Sequence, residues 1–163
     1  MGRGCNMKQQ VGVAGIINRG ECILVVRRAA KVEFLPGLFD LPGGKVEFGE
    51  SPQDAIRREI FEETSLKTEI IDLIDARSYL SKNGTQHNVE LFYTLKELND
   101  NADIKLCARE HDEYRWVTAD EVNQLGLPEG DLIRDVIESY FTSVFNGTSN
   151  QNKCSGSTCH SQK

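Results

Sequence analysis

A proline- and glycine-rich segment that leads directly into a helix constrains this chain more than any other feature. Residues 36–49 contain two prolines and four glycines, more than a simple turn needs. Ser51 then suits the N-cap of a helix, Pro52 its first position, and Asp54 its positive first turn. The pattern predicts a helix that runs to about Thr64. It also predicts a preceding loop whose backbone either approaches an ion or phosphate closely or forms an ordinary turn.

Short apolar runs and one amphipathic segment surround this helix. The sequence predicts strands over residues 11–17, 22–27, 68–76, 89–96 and 113–117, and further helices over 119–124 and 131–145. This order of elements predicts an α+β fold, a sheet with helices packed against it. We expect a flexible N-terminus over residues 1–10, a single domain over 11–145 and a disordered tail over 146–163.

The composition excludes several classes of function. A net charge of −6 argues against a nucleic-acid polymer as the main partner, because phosphate backbones require basic surface. No stretch approaches the roughly 20 apolar residues that cross a membrane.

The five cysteines are an odd number without framework spacing, which favours a reducing, cytoplasmic location. The tail residues Cys154, Cys159 and His160 could bind a metal, but incidental thiols in an unstructured tail are the favoured interpretation. A homodimer is possible.

Three carboxylates on the predicted helix carry the first sign of chemistry. Glu59, Glu62 and Glu63 fall within an arc of about 100° on one helix face. Like charges at these spacings repel, whereas a hard cation such as Mg²⁺ would attract all three. The alternative is a solvated acidic face, which Arg57 and Arg58 would partly neutralise.

The glycine loop and the acidic helix together form a much more specific pattern. From Gly44 the chain reads glycine, five residues, Glu50, seven residues, and then the segment 58–66, which is REIFEETSL. This resembles the Nudix box, G-x5-E-x7-R-E-U-x-E-E-x-G-U, where U is aliphatic. Eight of the nine defined positions match, and Ser65 stands where the family has glycine. The chain is therefore identified as resembling the Nudix hydrolases, whose fold is an α/β/α sandwich with a mixed sheet between helices.

The resemblance implies a divalent metal site, with Mg²⁺ as the expected ion and Mn²⁺ as a possible substitute. Its implied ligands are Glu59, Glu62, Glu63 and a backbone carbonyl of Gly43 or Gly44. When such a metal is bound, it polarises phosphoryl oxygens and lowers the pKa of water. Diphosphate cleavage is the chemistry that these properties serve.

The resemblance also implies supporting residues around the metal ligands. Arg58 is similar to the family's arginine that orients a helix carboxylate, and Glu50 could add a further contact. A loop acid near the C-terminal strand often completes the site or serves as base. Glu110 is the candidate here, with Asp112 and Glu113 as rivals. The proton acceptor is then Glu59, Glu62 or Glu110, and the sequence leaves this choice open.

The departure at Ser65 concerns the backbone. A glycine just after a helix usually adopts a left-handed conformation, which costs serine roughly 1–2 kcal/mol. No metal-binding atom is lost, so we expect catalysis to survive.

Substrate choice lies outside the box, and the sequence indicates no substrate-contacting residues. Members specialised for ADP-ribose often carry a proline beyond the box, where this chain reads Tyr79-Leu80-Ser81. The chain is most similar to MutT-like enzymes, which hydrolyse nucleoside triphosphates, sometimes oxidised ones, to the monophosphate and pyrophosphate. The alternatives are a hydrolase of ADP-ribose or a nucleotide sugar, and a non-catalytic Nudix-fold binding protein.

Overall fold

A computed structural model describes residues 7–82, 84–147 and 161–162 of the chain. In chain order, the strands are β1 (Lys8–Arg19), β2 (Cys22–Arg28), β3 (Phe39–Asp40), β4 (Gly43–Lys45), β5 (Thr68–Ser81), β6 (Gln86–Glu97), β7 (His111–Val117) and β8 (Ser161–Gln162). The helices are α1 (Pro52–Thr64) and α2 (Leu132–Gly147), with a 3₁₀ helix over Ala119–Leu125. These elements form two compact units, one from the chain up to Ile17 with Pro42–Lys105, the other from Asn18–Leu41 with the chain from Leu106 onward.

The first unit contains a mixed sheet. Strand β1 pairs with β6 in parallel and with β4 in antiparallel, and β6 pairs with β5 in antiparallel. The sheet order is therefore β5-β6-β1, with β4 attached to β1. This arrangement brings the short glycine strand beside the middle of β1, one element before α1.

Helix α1 begins where its local sequence signals predict. The Ser51 hydroxyl accepts a hydrogen bond from the Asp54 amide at 3.1 Å, which caps the first turn. The apolar face of the helix buries Ile56 and Ile60. Both side chains approach Gly15 of β1, where an added Cβ would lie 3.0 Å from Ile60 Cδ1. The glycine lets the helix pack close to the sheet, so its acidic residues are carried on a fixed support.

The second unit is built around β2, which pairs with β7 and β3 and with the last two residues of β1. Strands β1 and β2 form a hairpin, with Gly20 at φ 62° in its turn. Helix α2 buries Val136, Ile137 and Phe141. This unit contains the acidic residues predicted near the C-terminal strand: Glu110 lies just before β7, and Asp112 and Glu113 lie within it.

The α+β class and the mixed sheet are confirmed, while several element boundaries differ from the prediction. The strand predicted over 68–76 extends to Ser81, and the strand predicted over 89–96 begins at Gln86. Strands β3 and β4 were not predicted. Strand β1 begins at Lys8, inside the expected flexible N-terminus, and the prediction of a single domain over 11–145 stays a prediction.

Helix α2 continues to Gly147, two residues into the tail predicted over 146–163, and the predicted disorder of that tail stays a prediction. Most of the tail, including Cys154, Cys159 and His160, lies outside the described residues, while Ser161–Gln162 pairs with β7. Within the described ranges, Cys107 is a free thiol. None of the helices in these ranges is long and apolar enough to span a bilayer.

Candidate active site

Strand β4 fixes the two glycines of the box against β1. Gly43 is paired with Ala14 and Gly44 with Val13. A Cβ on Gly43 would meet the Val13 carbonyl oxygen and would lie 2.7 Å from Ala14 Cα, so no larger residue fits without a backbone shift. The Gly43 amide donates a hydrogen bond of 2.8 Å to Glu63 Oε2. The glycine strand and the end of helix α1 are thus connected directly.

The carboxylate of Glu59 packs directly against the backbone of Gly44. A Cβ added to Gly44 would lie within 2.5 Å of the carboxyl carbon and both carboxylate oxygens of Glu59. Ordinary van der Waals contact begins at 3.4 Å. The space that a side chain would need at residue 44 is therefore filled by this carboxylate. The box glycine is required here for the close approach and not for a special backbone angle.

Arg58 connects the carboxylates of this unit. Its Nε and Nη2 donate to Glu50 Oε1 and Oε2 at 2.9 and 3.0 Å, a bidentate pair. Its Nη1 donates to Glu59 Oε1 at 2.9 Å and makes a longer contact of 3.4 Å with Glu62. Nη2 also donates to the Lys45 carbonyl at 3.0 Å, which ties β4 to the helix.

These contacts perturb both partners of the main pair. The Arg58 guanidinium holds the pKa of the Glu50 carboxyl below its usual value, first through its hydrogen bonds. The same hydrogen bonds to Glu50 raise the pKa of Arg58, so the guanidinium stays charged at every physiological pH. Arg58 is therefore a permanent cation that holds Glu50 ionised.

The carboxylates of the helix differ in their access to solvent. The Glu63 residue is 4% exposed, the Glu59 side chain 13% and the Glu62 side chain 58%. Arg58 balances one of the three charges of its partners Glu50, Glu59 and Glu62. Carboxylate oxygens beside a glycine backbone are the donors that a hard divalent cation prefers. The acidic group thus fits a divalent metal ion.

The second unit places the three candidate acids in different surroundings. Glu110 is exposed just before β7, and its carbonyl accepts a hydrogen bond of 2.8 Å from the Ala29 amide. Its two rivals form ion pairs with Arg27, Asp112 at 2.7 Å and Glu113 at 2.6 Å. Glu113 is also buried and pairs with a second arginine. Of the three acids, Glu110 is therefore the one in the loop, while Asp112 and Glu113 belong to β7.

Sequence reasoning missed two features of this unit, the proximity of His111 to Glu110 and the environment of Asp40. A ring nitrogen of His111 and a carboxylate oxygen of Glu110 lie within 4.8 Å of each other. Burial raises the pKa of Asp40, against the opposing effect of Arg28, which donates to its Oδ2 at 3.0 Å. The adjacent Glu110-His111 pair was visible in the sequence as a possible signal, whereas the partners of Asp40 depend on strand pairing.

The mismatched residue of the box adopts the conformation that the family pattern implies. Ser65 ends α1 with φ 62° and ψ 11°, a left-handed conformation. Its amide donates to the Phe61 carbonyl at 2.8 Å, which closes the last turn. Its hydroxyl makes a long contact of 3.4 Å with the Lys105 carbonyl. The serine thus keeps the glycine-like turn at some conformational cost.

Comparison with known proteins agrees with this geometry. Residues 8–137 match the model of the NUDIX domain. The chain therefore belongs to the Nudix family, and it is a pyrophosphohydrolase that acts on phosphoric anhydrides.

Individual relatives extend the comparison. Over 132 residues the chain is 31% identical to the nucleoside triphosphatase NudI of Enterobacter sp. (strain 638), covering 76% of this chain and 92% of that protein. Over 120 residues it is 35% identical to a putative 8-oxo-dGTP diphosphatase 2 of Mycobacterium tuberculosis, covering 73% and 80%. The crystal structure of a MutT protein from Methanosarcina mazei Go1 superposes with a TM-score of 0.69 at 24% identity, over 89% of this chain and 98% of that one. The last likeness shows the fold alone.

Proposed function

We propose that this enzyme hydrolyses a nucleoside triphosphate, including oxidised forms, to the monophosphate and pyrophosphate. Two relatives with more than 30% identity support this substrate class, one named a nucleoside triphosphatase and the other a putative 8-oxo-dGTP diphosphatase. The observation that carries the chemistry is the Glu59 carboxylate packed on Gly44. It sets an acidic oxygen donor directly against the glycine backbone, whose carbonyl oxygens are donors for the same kind of cation.

The ion that we propose is Mg²⁺, with Mn²⁺ as a substitute. Its ligands would be Glu59, Glu62, Glu63 and a carbonyl of Gly43 or Gly44. When bound, a divalent ion supplies charge neutralisation at the phosphoryl oxygens and acidifies water. These residues fit that ion because their donor atoms are all oxygens and because one carboxylate is largely exposed to incoming solvent.

Arg58 has a positioning role in this proposal. Its guanidinium holds Glu59 from one side while the Gly44 backbone limits it from the other. The bidentate pair with Glu50 in turn fixes the guanidinium. The carboxylate therefore has little freedom to turn away from the reacting phosphate.

Proton transfer completes the proposed reaction. Water attacks the α- or the β-phosphorus, and the bond from that phosphorus to the oxygen bridging the two breaks. Attack at the α-phosphorus expels pyrophosphate and attack at the β-phosphorus expels the monophosphate, so the products are the same. The proton of the attacking water passes to a carboxylate, for which Glu59, Glu62 and Glu110 are the candidates. Glu62 and Glu110 are exposed, and Glu59 is held in place by Arg58.

A substrate panel tests the proposal. Purified protein with magnesium is given nucleoside triphosphates, oxidised triphosphates, ADP-ribose and nucleotide sugars, and products are separated by ion-exchange chromatography. We expect monophosphate and pyrophosphate in equal amounts from a triphosphate. Turnover of ADP-ribose or a sugar nucleotide alone would contradict the proposed substrate class. No turnover of any compound would favour a binding protein.

A cytoplasmic location is a further part of the proposal. The odd number and irregular spacing of the cysteines support it. Cell fractionation followed by immunodetection of the protein tests it. Recovery in the cytoplasmic fraction is the expected result, and recovery in a secreted or membrane-enclosed fraction would contradict it.

A further inference from the structure

Strand β5 forms a long edge of the sheet in the first unit. It extends over 14 residues and pairs with β6 on one side, while no other strand of the described residues pairs with it. Exposed apolar side chains lie along it, with Ile71 62% and Leu73 48% exposed. A long edge with apolar side chains is a template for pairing with another chain. The strand therefore needs a feature that prevents such pairing.

Two bulges interrupt this edge in close succession. The pairing register with β6 shifts by one residue at Ile71 and again at Ile74. Each bulged isoleucine is followed by an aspartate and then an apolar residue, so the sequence Ile-Asp-Leu-Ile-Asp-Ala repeats one structural unit over residues 71–76. Bulges increase the twist of a strand and disrupt a flat ladder of hydrogen bonds.

The two aspartates of this repeat accept hydrogen bonds from backbone amides of their own strand. Asp72 Oδ1 accepts a hydrogen bond of 2.9 Å from the Leu73 amide, and Asp75 Oδ1 accepts one of 2.8 Å from the Ala76 amide. Arg77 Nε donates to Asp75 Oδ2 at 2.8 Å and holds that carboxylate in place. An amide that already donates to a carboxylate of its own chain is not available to an added strand.

The aspartate charges oppose self-association in addition. An antiparallel pair of β5 strands centred on the bulges would set Asp72 of one chain opposite Asp75 of the other. Like charges directly opposite each other destabilise a strand pair. We propose that these two aspartate-capped bulges close the β5 edge against strand addition by a second copy of the chain. The proposal is independent of the substrate of the enzyme.

The double variant D72A/D75A tests this proposal. It removes both carboxylates and leaves the apolar side chains, so its mass by size-exclusion light scattering should rise above that of the wild type as concentration increases. D100A/D103A is the matched control, because it removes the same charge from exposed loop positions of the same unit. The control should keep the wild-type mass. Association of both double variants to the same extent, or of neither, would overturn the proposal.

A second variant separates the hydrogen bonds from the charge. D72N/D75N keeps an acceptor oxygen at each position, so it should associate less than the alanine variant. Equal association of the two would show that charge alone closes the edge and would overturn the role of the caps. Circular dichroism and melting curves establish that each variant is folded.

Amide hydrogen exchange gives a test that requires no association. In the wild type, the Leu73 and Ala76 amides should exchange more slowly than unprotected amides of an edge strand. D72A should speed exchange at Leu73 by about two- to tenfold, and D75A should do so at Ala76, with little effect at the other site. Fast exchange of both amides in the wild type would show that the aspartates do not protect them and would refute the proposed role of these hydrogen bonds.

Discussion

Replacement of Gly44 by alanine is the sharpest test of the candidate site. The added methyl group would lie within 2.5 Å of the Glu59 carboxylate, whereas ordinary contact begins at 3.4 Å. The carboxylate must therefore move by about 1 Å, and it can do so because it is the far end of a flexible side chain. The helix backbone need not move, so the melting temperature should stay close to that of the wild type.

The kinetic cost follows from this displacement. A shift of about 1 Å in a group that positions a reacting centre can cost roughly a hundredfold in rate. We therefore expect kcat of G44A to fall by about two orders of magnitude, measured as pyrophosphate release at saturating triphosphate and magnesium. The Glu59–Arg58 pair at 2.9 Å should lengthen as well, because the carboxylate leaves its place.

Two other glycines serve as controls. G43A places its methyl group against the backbone of β1, so this variant should lose stability as well as activity. G126A lies in open space at φ 70° in the second unit and should lose a little stability but keep its kcat. A G44A enzyme with kcat within a few-fold of the wild type would show that the position of Glu59 does not matter and would refute the site.

Four further predictions follow from the site. EDTA should abolish hydrolysis and added Mg²⁺ or Mn²⁺ should restore it; undiminished turnover in EDTA would exclude the proposed metal. Changing Glu59 or Glu62 to Gln should lower kcat at least about a hundredfold while the fold remains, and Glu110→Gln should also lower kcat. Near-normal kcat in both the Glu59 and the Glu62 variant would show that these carboxylates form a solvated helix face and not a catalytic site. S65G should raise the free energy of unfolding by up to about 1 kcal/mol in urea titrations without changing the rate more than a few-fold, since residue 65 has φ 62°. The pKa of Glu50 is depressed when the protein is folded, so its pair with Arg58 stabilises above the ordinary value of 4.5 and is lost as pH falls below it. The difference in unfolding free energy between wild type and E50Q should therefore shrink from pH 7 to pH 3, and a constant difference would contradict the pairing.

The parts of the fold that local sequence determines were predictable. Helix α1 begins at Pro52 and ends at Thr64 as predicted, because its cap and its terminal turn involve neighbours in sequence. The glycine strand β4 was not predicted, because three residues of Gly-Gly-Lys have no strand propensity of their own. They become a strand only through hydrogen bonds to β1, which lies about thirty residues earlier in the chain.

In the candidate site, too, local sequence predicted some features and missed those that depend on packing. Periodicity alone set Glu59, Glu62 and Glu63 on one face, but it did not indicate that Glu63 is buried and Glu62 exposed. The family pattern predicted that Arg58 orients a helix carboxylate, and the structure pairs it with Glu59 as well as with Glu50. Burial depends on what packs against a helix, and this information is not contained in the spacing of its charges.

The two glycine positions of the box differ in what they require of a residue. At Gly44 the requirement is space, because the Glu59 carboxylate occupies the place of a side chain. At position 65 the requirement is a left-handed backbone, which serine can adopt at a cost of roughly 1–2 kcal/mol. A substitution at the first position displaces a proposed metal ligand, whereas one at the second changes only stability. This difference explains why the chain can depart from the family pattern at Ser65 and retain the carboxylate geometry, and why we expect no such tolerance at Gly44.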